Sequence, residues 1–274
     1  RQQKVITSSL FADVIHNPAQ YATKKTFDLF HTSRWIGFTG APGTTLLTAK
    51  INTENNKVSF GGVFRDDIIG AQSQTEISGF YSYSFKAVEN LFIDMGISGG
   101  IRTIKLDNTM LNVYDNSDPV YSANLNTIFP NMGLGISMRY NHWFLSISSP
   151  SIFTSFFTFK NDYDVVYRRR MHTYVNVGRK NITLSNVDNL SMEAFLLYVS
   201  APGAPAAILF KSNWLYKEKI GFSANINLRS SMGFSLSYLI KKKYRLLYGY
   251  DFATTELTNG LPNISQYFML SLMM

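Results

Sequence analysis

The chain has 274 residues, with 26 Lys+Arg against 18 Asp+Glu for a formal charge of +8. Such a balance raises nucleic-acid binding, but the cations sit mostly in turns and form neither a helical stripe nor a nucleic-acid motif, so that class is set aside. The absence of cysteine excludes disulfides, thiolate metal sites and cysteine catalysis, and a mean hydropathy of −0.05 with no apolar run of spanning length excludes a helical membrane protein.

The chain opens at Arg1 with no Met and no apolar leader, so the expectation is a mature form after signal-peptide removal. Residues 1–25 carry a Pro and do not alternate. They read as a short helix and a loop, lying on the periplasmic side or tucked into a lumen. From Thr26 the pattern changes to strands, about fourteen, over 26–35, 43–52, 57–65, 70–86, 90–105, 131–140, 142–149, 167–178, 190–198, 205–215, 218–228, 231–240, 243–251 and 264–274.

The division of labour recurs along the chain. Leu91, Ile93, Met95 and Ile97 alternate with Asp94, Gly96 and Ser98; Met132, Leu134, Ile136 and Met138 alternate with Gly133, Gly135, Ser137 and Arg139. It is clearest from Ile220 to Tyr250, where Phe222, Ile226, Phe234, Leu236 and Tyr248 face one way and Ser223, Asn225, Gly233, Ser235 and Gly249 the other. Side chains alternate faces along a strand, so each strand has one apolar and one polar face. A soluble sandwich buries the apolar faces against a second sheet, whereas an outer-membrane barrel turns them to lipid.

Three features choose the barrel. Aromatics reach 15% and charged residues only 16%, against a usual charged share of about 25%. The polar faces are built of Gly, Ser and Asn, which suits a crowded or plugged interior. The connections also alternate in length: with Met274 on the periplasmic side, the long ones at 106–130, 150–166, 199–204 and 252–263 fall outside. The short ones at 53–56, 140–142, 216–217 and 241–243 fall inside, as in outer-membrane barrels. The connection at 179–189 is the exception, long yet inside. The expected fold is thus all-β, a transmembrane antiparallel up-and-down barrel over 26–274 with a short N-terminal non-barrel segment over 1–25.

Candidate chemistry is sparse. Gly96-Ile97-Ser98-Gly99-Gly100 satisfies G-x-S-x-G, but a nucleophile elbow needs a strand-to-helix turn and Ser98 lies inside an alternating strand. His16, His31, His142 and His172 show no metal-ligand spacing. Asp66 and Asp67 read as a solvated turn after the third strand, and Arg168-Arg169-Arg170 as the start of the eighth. Trp35, Trp143 and Trp214 read as strand residues that anchor at the membrane interface. No cofactor and no metal are expected.

The order of short motifs carries a resemblance. His16-Asn17-Pro18-Ala19, then Arg34-Trp35-Ile36-Gly37-Phe38 with Gly40-Ala41-Pro42, Gly61-Gly62 with Asp66-Asp67 and Gly70, and Tyr81-Ser82-Tyr83 resemble successive blocks of the PorP/SprF family of outer-membrane proteins. Asp118-Pro119, Leu145 to Pro150, His172 and Tyr248-Gly249-Tyr250-Asp251 follow in matching order. The resemblance implies a non-enzymatic outer-membrane barrel that docks or anchors type IX secretion components. Its partners would be periplasmic ring lipoproteins or the C-terminal domain of a surface adhesin, with outer-membrane lipid around the wall. Asn17, Pro18, Arg34 and Trp35 are the matched positions expected to dock a partner or pack a plug. Lys241, Lys242 and Lys243 join them as a compact positive turn on the periplasmic side. The alternative is a channel for small or apolar solutes, which a lumen filled by residues 1–25 would oppose; a barrel hydrolase rests on Ser98 alone.

Overall fold

A computed structural model of the chain describes residues 13–20, 25–55, 57–107, 110, 125–152, 156–157, 167–168, 171–183, 189–228, 230–254 and 264–274. A short helix, α1 (Asp13–His16), precedes β1 (Thr26–Arg34), β2 (Gly43–Asn52), β3 (Val58–Ile69), β4 (Gln72–Val88), β5 (Leu91–Leu106), β6 (Leu125–Tyr140) and β7 (Trp143–Ser149). After the two-residue strands β8 (Phe156–Phe157) and β9 (Tyr167–Arg168) come β10 (Thr173–Thr183), β11 (Leu190–Ser200), β12 (Ala207–Tyr216), β13 (Ile220–Asn227), β14 (Ser231–Ile240), β15 (Tyr244–Ala253) and β16 (Ile264–Met273). Fourteen of these form one closed antiparallel barrel in which each strand pairs with its sequence neighbours, β7 meets β10, and β1 closes on β16 from Thr26↔Met273 to Arg34↔Ser265. β8 and β9 pair only with each other.

The wall is inverted relative to a soluble core. Along β14 the exposed Met232, Phe234, Leu236 and Tyr238 alternate with the buried Ser231, Gly233, Ser235 and Ser237. The apolar residues face outward, where only a lipid environment satisfies them, and the closed ladder leaves no unpaired edge in the hydrocarbon. The start of β1 and the end of β16 lie at one rim, the terminal rim, where Met274 N donates to Lys25 O. The connections at that rim are all short, at 53–57, 89–90, 141–142, 184–189, 217–219 and 241–243; the opposite rim holds the long ones at 35–42, 107–124, 150–172 and 254–263 beside shorter ones at 70–71, 201–206 and 228–230. This asymmetry matches outer-membrane barrels, whose short turns are the periplasmic ones.

Four expectations need correction. Asp66 and Asp67 are not a turn: β3 and β4 stay in register through Asp66↔Thr75 and Asp67↔Gln74. Thr75 Oγ1 donates to Asp66 (2.7 Å) and Arg65 pairs with Asp67 (2.7 Å), which satisfies both carboxylates within the ladder. The eighth barrel strand does not start at Arg168: that residue lies in β9, which pairs with β8, and β10 begins at Thr173. β7 ends before Pro150, and the ladder between β7 and β10 starts at Tyr174↔Ser148; Arg169 and Arg170 lie outside the described residues, as does the side chain of Arg168. The exceptional connection at 179–189 shrinks to 184–189 because β10 continues through a bulge between Arg179 and Ile182, which breaks the period-two pattern. Trp35 lies just past β1 with φ 50°, in a turn that Gly37 and Gly40 carry onward at positive φ. Trp143 and Trp214 are in strands.

Candidate functional site

Residues 15–20 of the N-terminal segment lie in the lumen. Asn17 to Gln20 form a tight turn in which Gln20 N donates to Asn17 O (3.1 Å) and Ala19 N to Asn17 Oδ1 (2.8 Å). Pro18 supplies the fixed φ that the second position of such a turn favours, and the Asn side chain closes it. Residues Ile15 to Ala19 are buried, and the wall receives them at three places.

At the first place, Ile15 joins a buried cluster formed by Phe30 and Leu46 of β1 and β2 and Leu247, Tyr267 and Met269 of β15 and β16. At the second, the His16 ring stacks on Tyr174 (centroids 4.8 Å, planes 23° apart), which belongs to a buried cluster with Leu197, Val199 and Leu209, while Ser148 Oγ donates to His16 O (2.6 Å). The third is a shelf of small residues on β5 and β6. A Cβ at Gly96 would collide with the backbone of Pro18 and Ala19, and one at Gly135 with the Asn17 side chain. Only glycine lets the Asn-Pro-Ala turn lie that close to the wall.

His16 is neutral in this setting. Burial, reinforced by the charges of Lys211 and Arg65, lowers its pKa to about 3, and neither ring nitrogen has a hydrogen-bond partner among the described residues. The ring therefore acts as an aromatic wedge.

Towards the opposite rim the turn is backed by buried charge. Arg102 Nε donates to Glu76 Oε2 (3.1 Å), with a second contact through Nη2, and Asn131 Nδ2 donates to Glu76 Oε1 (2.7 Å) and to Pro150 O (3.2 Å). The group ties β4, β5 and β6 to the chain leaving β7, and the cavity left between it and Ile15 and Pro18 is only about 30 Å³, room for about one water. Towards the terminal rim a cavity of about 310 Å³ opens below Asn17 and Gln20, flanked by the Asp94–Arg139 pair (2.7 Å).

The predicted positions are not brought together. Asn17 and Pro18 form the turn in mid-lumen. Arg34 and Trp35 lie at the opposite rim, where Arg34 Nη2 donates to Thr44 Oγ1 (3.3 Å), Thr44 Oγ1 to Asp67 (2.6 Å), and Gly70 N to Gly40 O (3.1 Å). Lys241, Lys242 and Lys243 form the exposed β14–β15 turn at the terminal rim. Ser98 faces the lumen in a strand that runs on to Leu106, so no elbow exists there. Glu76, Arg102, Asn131 and Tyr174 belong to no motif, and their one signal is position on the polar face of an alternating strand; Gly96, Gly135 and Ser148 fall in stretches named from the sequence, where nothing marks them as contacts of residues 15–19. Asp118 and Pro119 lie outside the described residues.

The terminal rim is strongly basic. The positions 25, 53–57, 86–90, 179–180, 217–219 and 241–243 carry ten exposed lysines and arginines against three glutamates, Glu54, Glu89 and Glu218. Two of its turns are held in an unfavourable backbone form. Lys217 and Glu218 have φ 48° and 54°, and Lys241 and Lys242 have φ 50° and 57°; Lys219 N donates to Tyr216 O and Lys243 N to Ile240 O, both at 3.0 Å. These are type I′ hairpin turns, which favour Asn-Gly, and a left-handed non-glycine residue costs roughly 1–2 kcal/mol.

A family model described as "Type IX secretion system membrane protein PorP/SprF" matches residues 1–273. No curated protein matches the sequence. In fold the chain is similar to the toluene transporter TbuX of Ralstonia pickettii (TM-score 0.56, 9% identity, 96% of this chain and 93% of that one). It is also similar to the toluene transporter TodX of Pseudomonas putida (0.54, 8%, 96% and 93%) and to a FadL homologue of Pseudomonas aeruginosa (0.53, 10%, 97% and 95%).

Proposed function

The chain belongs to the PorP/SprF family of type IX secretion system membrane proteins, and from that premise we propose that it is a non-enzymatic outer-membrane barrel that docks or anchors other components of the secretion apparatus or a secreted surface adhesin. The observation that carries this reading is the filled lumen. With Ile15 to Ala19 buried in mid-barrel, the surfaces left for function are the two rims. A periplasmic partner meets the terminal rim first, and the Lys241-Lys242-Lys243 turn is its run of three consecutive exposed cations. Lysines kept at two left-handed positions, where Asn-Gly would relieve the strain, argue that their charge is what the turn is for.

The test uses that strain. Replacing Lys241→Asn together with Lys242→Gly installs the favoured turn and removes two charges. The hairpin is expected to become more stable while co-purification of secretion-system proteins from native outer membranes in mild detergent falls. If the wild-type barrel is recovered alone, docking is wrong; if the variant retains its partners, the turn is not the docking element.

Similarity in fold to two toluene transporters supports a second reading, a channel for small or apolar solutes. It requires the N-terminal segment to leave the lumen. Planar-bilayer recording separates the two: docking expects a silent full-length chain and conductance only after deletion of residues 1–20, whereas stepwise conductance of the intact chain would favour transport.

A further inference from the structure

Two cations of the terminal rim lie back against the wall instead of projecting from it. The Arg179 guanidinium sits over the Trp143 ring, 5.6 Å from its centre, and Lys217 Nζ sits over Tyr216 at 5.3 Å. Both rings are on the outer face at the edge of the apolar band. Trp143 begins β7 and pairs with Tyr140 on one side and Arg179 on the other, so the three form one outward row across β6, β7 and β10. Trp143 is 54% exposed and Tyr140 50%. Neither Arg179 nor Lys217 has an ion-pair partner among the described residues.

Aromatic rings at this level sit where acyl chains give way to headgroups, and a guanidinium laid on a Trp face keeps its edge N–H donors free for a phosphate in forked geometry. A protein approaching from the periplasm meets the turn tips; these flanks face the lipid leaflet. We propose that the Tyr140–Trp143–Arg179 row, with Lys217 on Tyr216 as a second point, binds the phosphate of an anionic phospholipid headgroup in the leaflet at the terminal rim. The excess of seven positive charges among the described rim positions draws such lipid to the wall, and the two cations laid on outward-facing rings fix where it stays. The proposal stands apart from partner docking and uses different residues.

The experiment is native mass spectrometry of the full-length barrel in mild detergent, titrated in parallel with phosphatidylglycerol and phosphatidylethanolamine. Wild type is expected to retain phosphatidylglycerol preferentially and to lose it in high salt. Arg179→Gln with Lys217→Gln should lower that retention about tenfold or more, Arg179→Lys should give an intermediate loss, and Lys105→Gln, an exposed cation near the opposite rim, should change nothing. Folding of each variant is checked by heat-modifiable migration; if the double variant does not fold, the wild-type lipid preference and its salt response decide. Equal retention of the two lipids by wild type, or undiminished phosphatidylglycerol in a folded double variant, overturns the proposal. So does a double variant that keeps its lipid but loses a co-purifying protein, which would assign the row to an acidic protein surface.

Discussion

The two faces of the β3–β6 wall use the same residue for opposite reasons. On the lumen face Gly96 and Gly135 have no room for a Cβ, because the Asn17–Ala19 turn lies against them. On the lipid face the register aligns Ala49, Gly62, Gly79 and Gly99 in one row across four strands, yet a Cβ at Gly62 or Gly79 would meet nothing nearer than 3.7 Å and one at Gly99 nothing within 4 Å. The lumen glycines are therefore required by what packs on them, while the outer row is not required by anything within the described chain. Charge divides the same way. Glu76 is paired inside with Arg102 and the Asn131 amide nitrogen, while the neighbouring Ile77 and Ile101 face lipid.

That contrast is open to direct attack. The largest effect is expected from Glu76→Ala, which strands Arg102 in the lumen. A loss of about 3–5 kcal/mol in reversible urea unfolding from detergent or vesicles is expected, against about 1 kcal/mol for Ile77→Ala on the opposite face. Equal losses would mean that the inner charge network is dispensable. Gly96→Val comes next. It overpacks the shelf at a cost of about 1–3 kcal/mol and frees the N-terminal segment, which limited proteolysis of the folded barrel should detect.

Acid is expected to do the same by a gentler route. His16 is held neutral in the folded state with its pKa near 3 against 6.5 in the free chain, so the unfolded state binds the extra proton between those values. Docking of the segment is then strongest above pH 6.5 and weakens as pH falls from 6.5 towards 3, by about 1.4 kcal/mol per pH unit. His16→Phe, which keeps the stack on Tyr174 and removes the proton, should flatten the pH response of protease sensitivity. The smallest effect belongs to Gly99→Ala on the outer face, within about 0.5 kcal/mol of wild type. A large loss there would show that the outer row serves a neighbour in the membrane.

The same contrast explains what was legible from sequence. Period-two alternation is a local signal, so β13, β14 and β15 and the inversion of their faces could be read residue by residue, as could the short turns. A Gly/Ser/Asn lumen face also announced that the interior was crowded. What filled it was not legible, because the contacts of His16 with Ser148 and Tyr174 join distant parts of the chain and have no periodic trace. Glu76, Arg102 and Asn131 were hidden for the same reason, each an isolated polar residue until register brings the three together. Local readings failed where a neighbouring strand overrode composition. Asp66 and Asp67 look like a turn but are held in a ladder, and the bulge after Arg179 hides four strand residues behind a lost period.

The position of Ile15 bears on how the barrel forms. It shares one buried cluster with Phe30 and Leu46 of the first two strands and with Leu247, Tyr267 and Met269 of the last two, so the cluster it belongs to spans both banks of the seam where β1 meets β16. Asp28, one bond layer away, accepts from Thr48 on one bank and Ser271 on the other. The seam joins residues almost a full chain length apart and is the pairing whose loop-closure entropy is greatest. A segment tethered directly to β1 that already carries the apolar contact sought by β15 and β16 lowers the cost of that last pairing. The element that stops the lumen thus also serves as the clasp on which the cylinder is fastened, and a chain lacking it should close slowly even where the finished wall is sound.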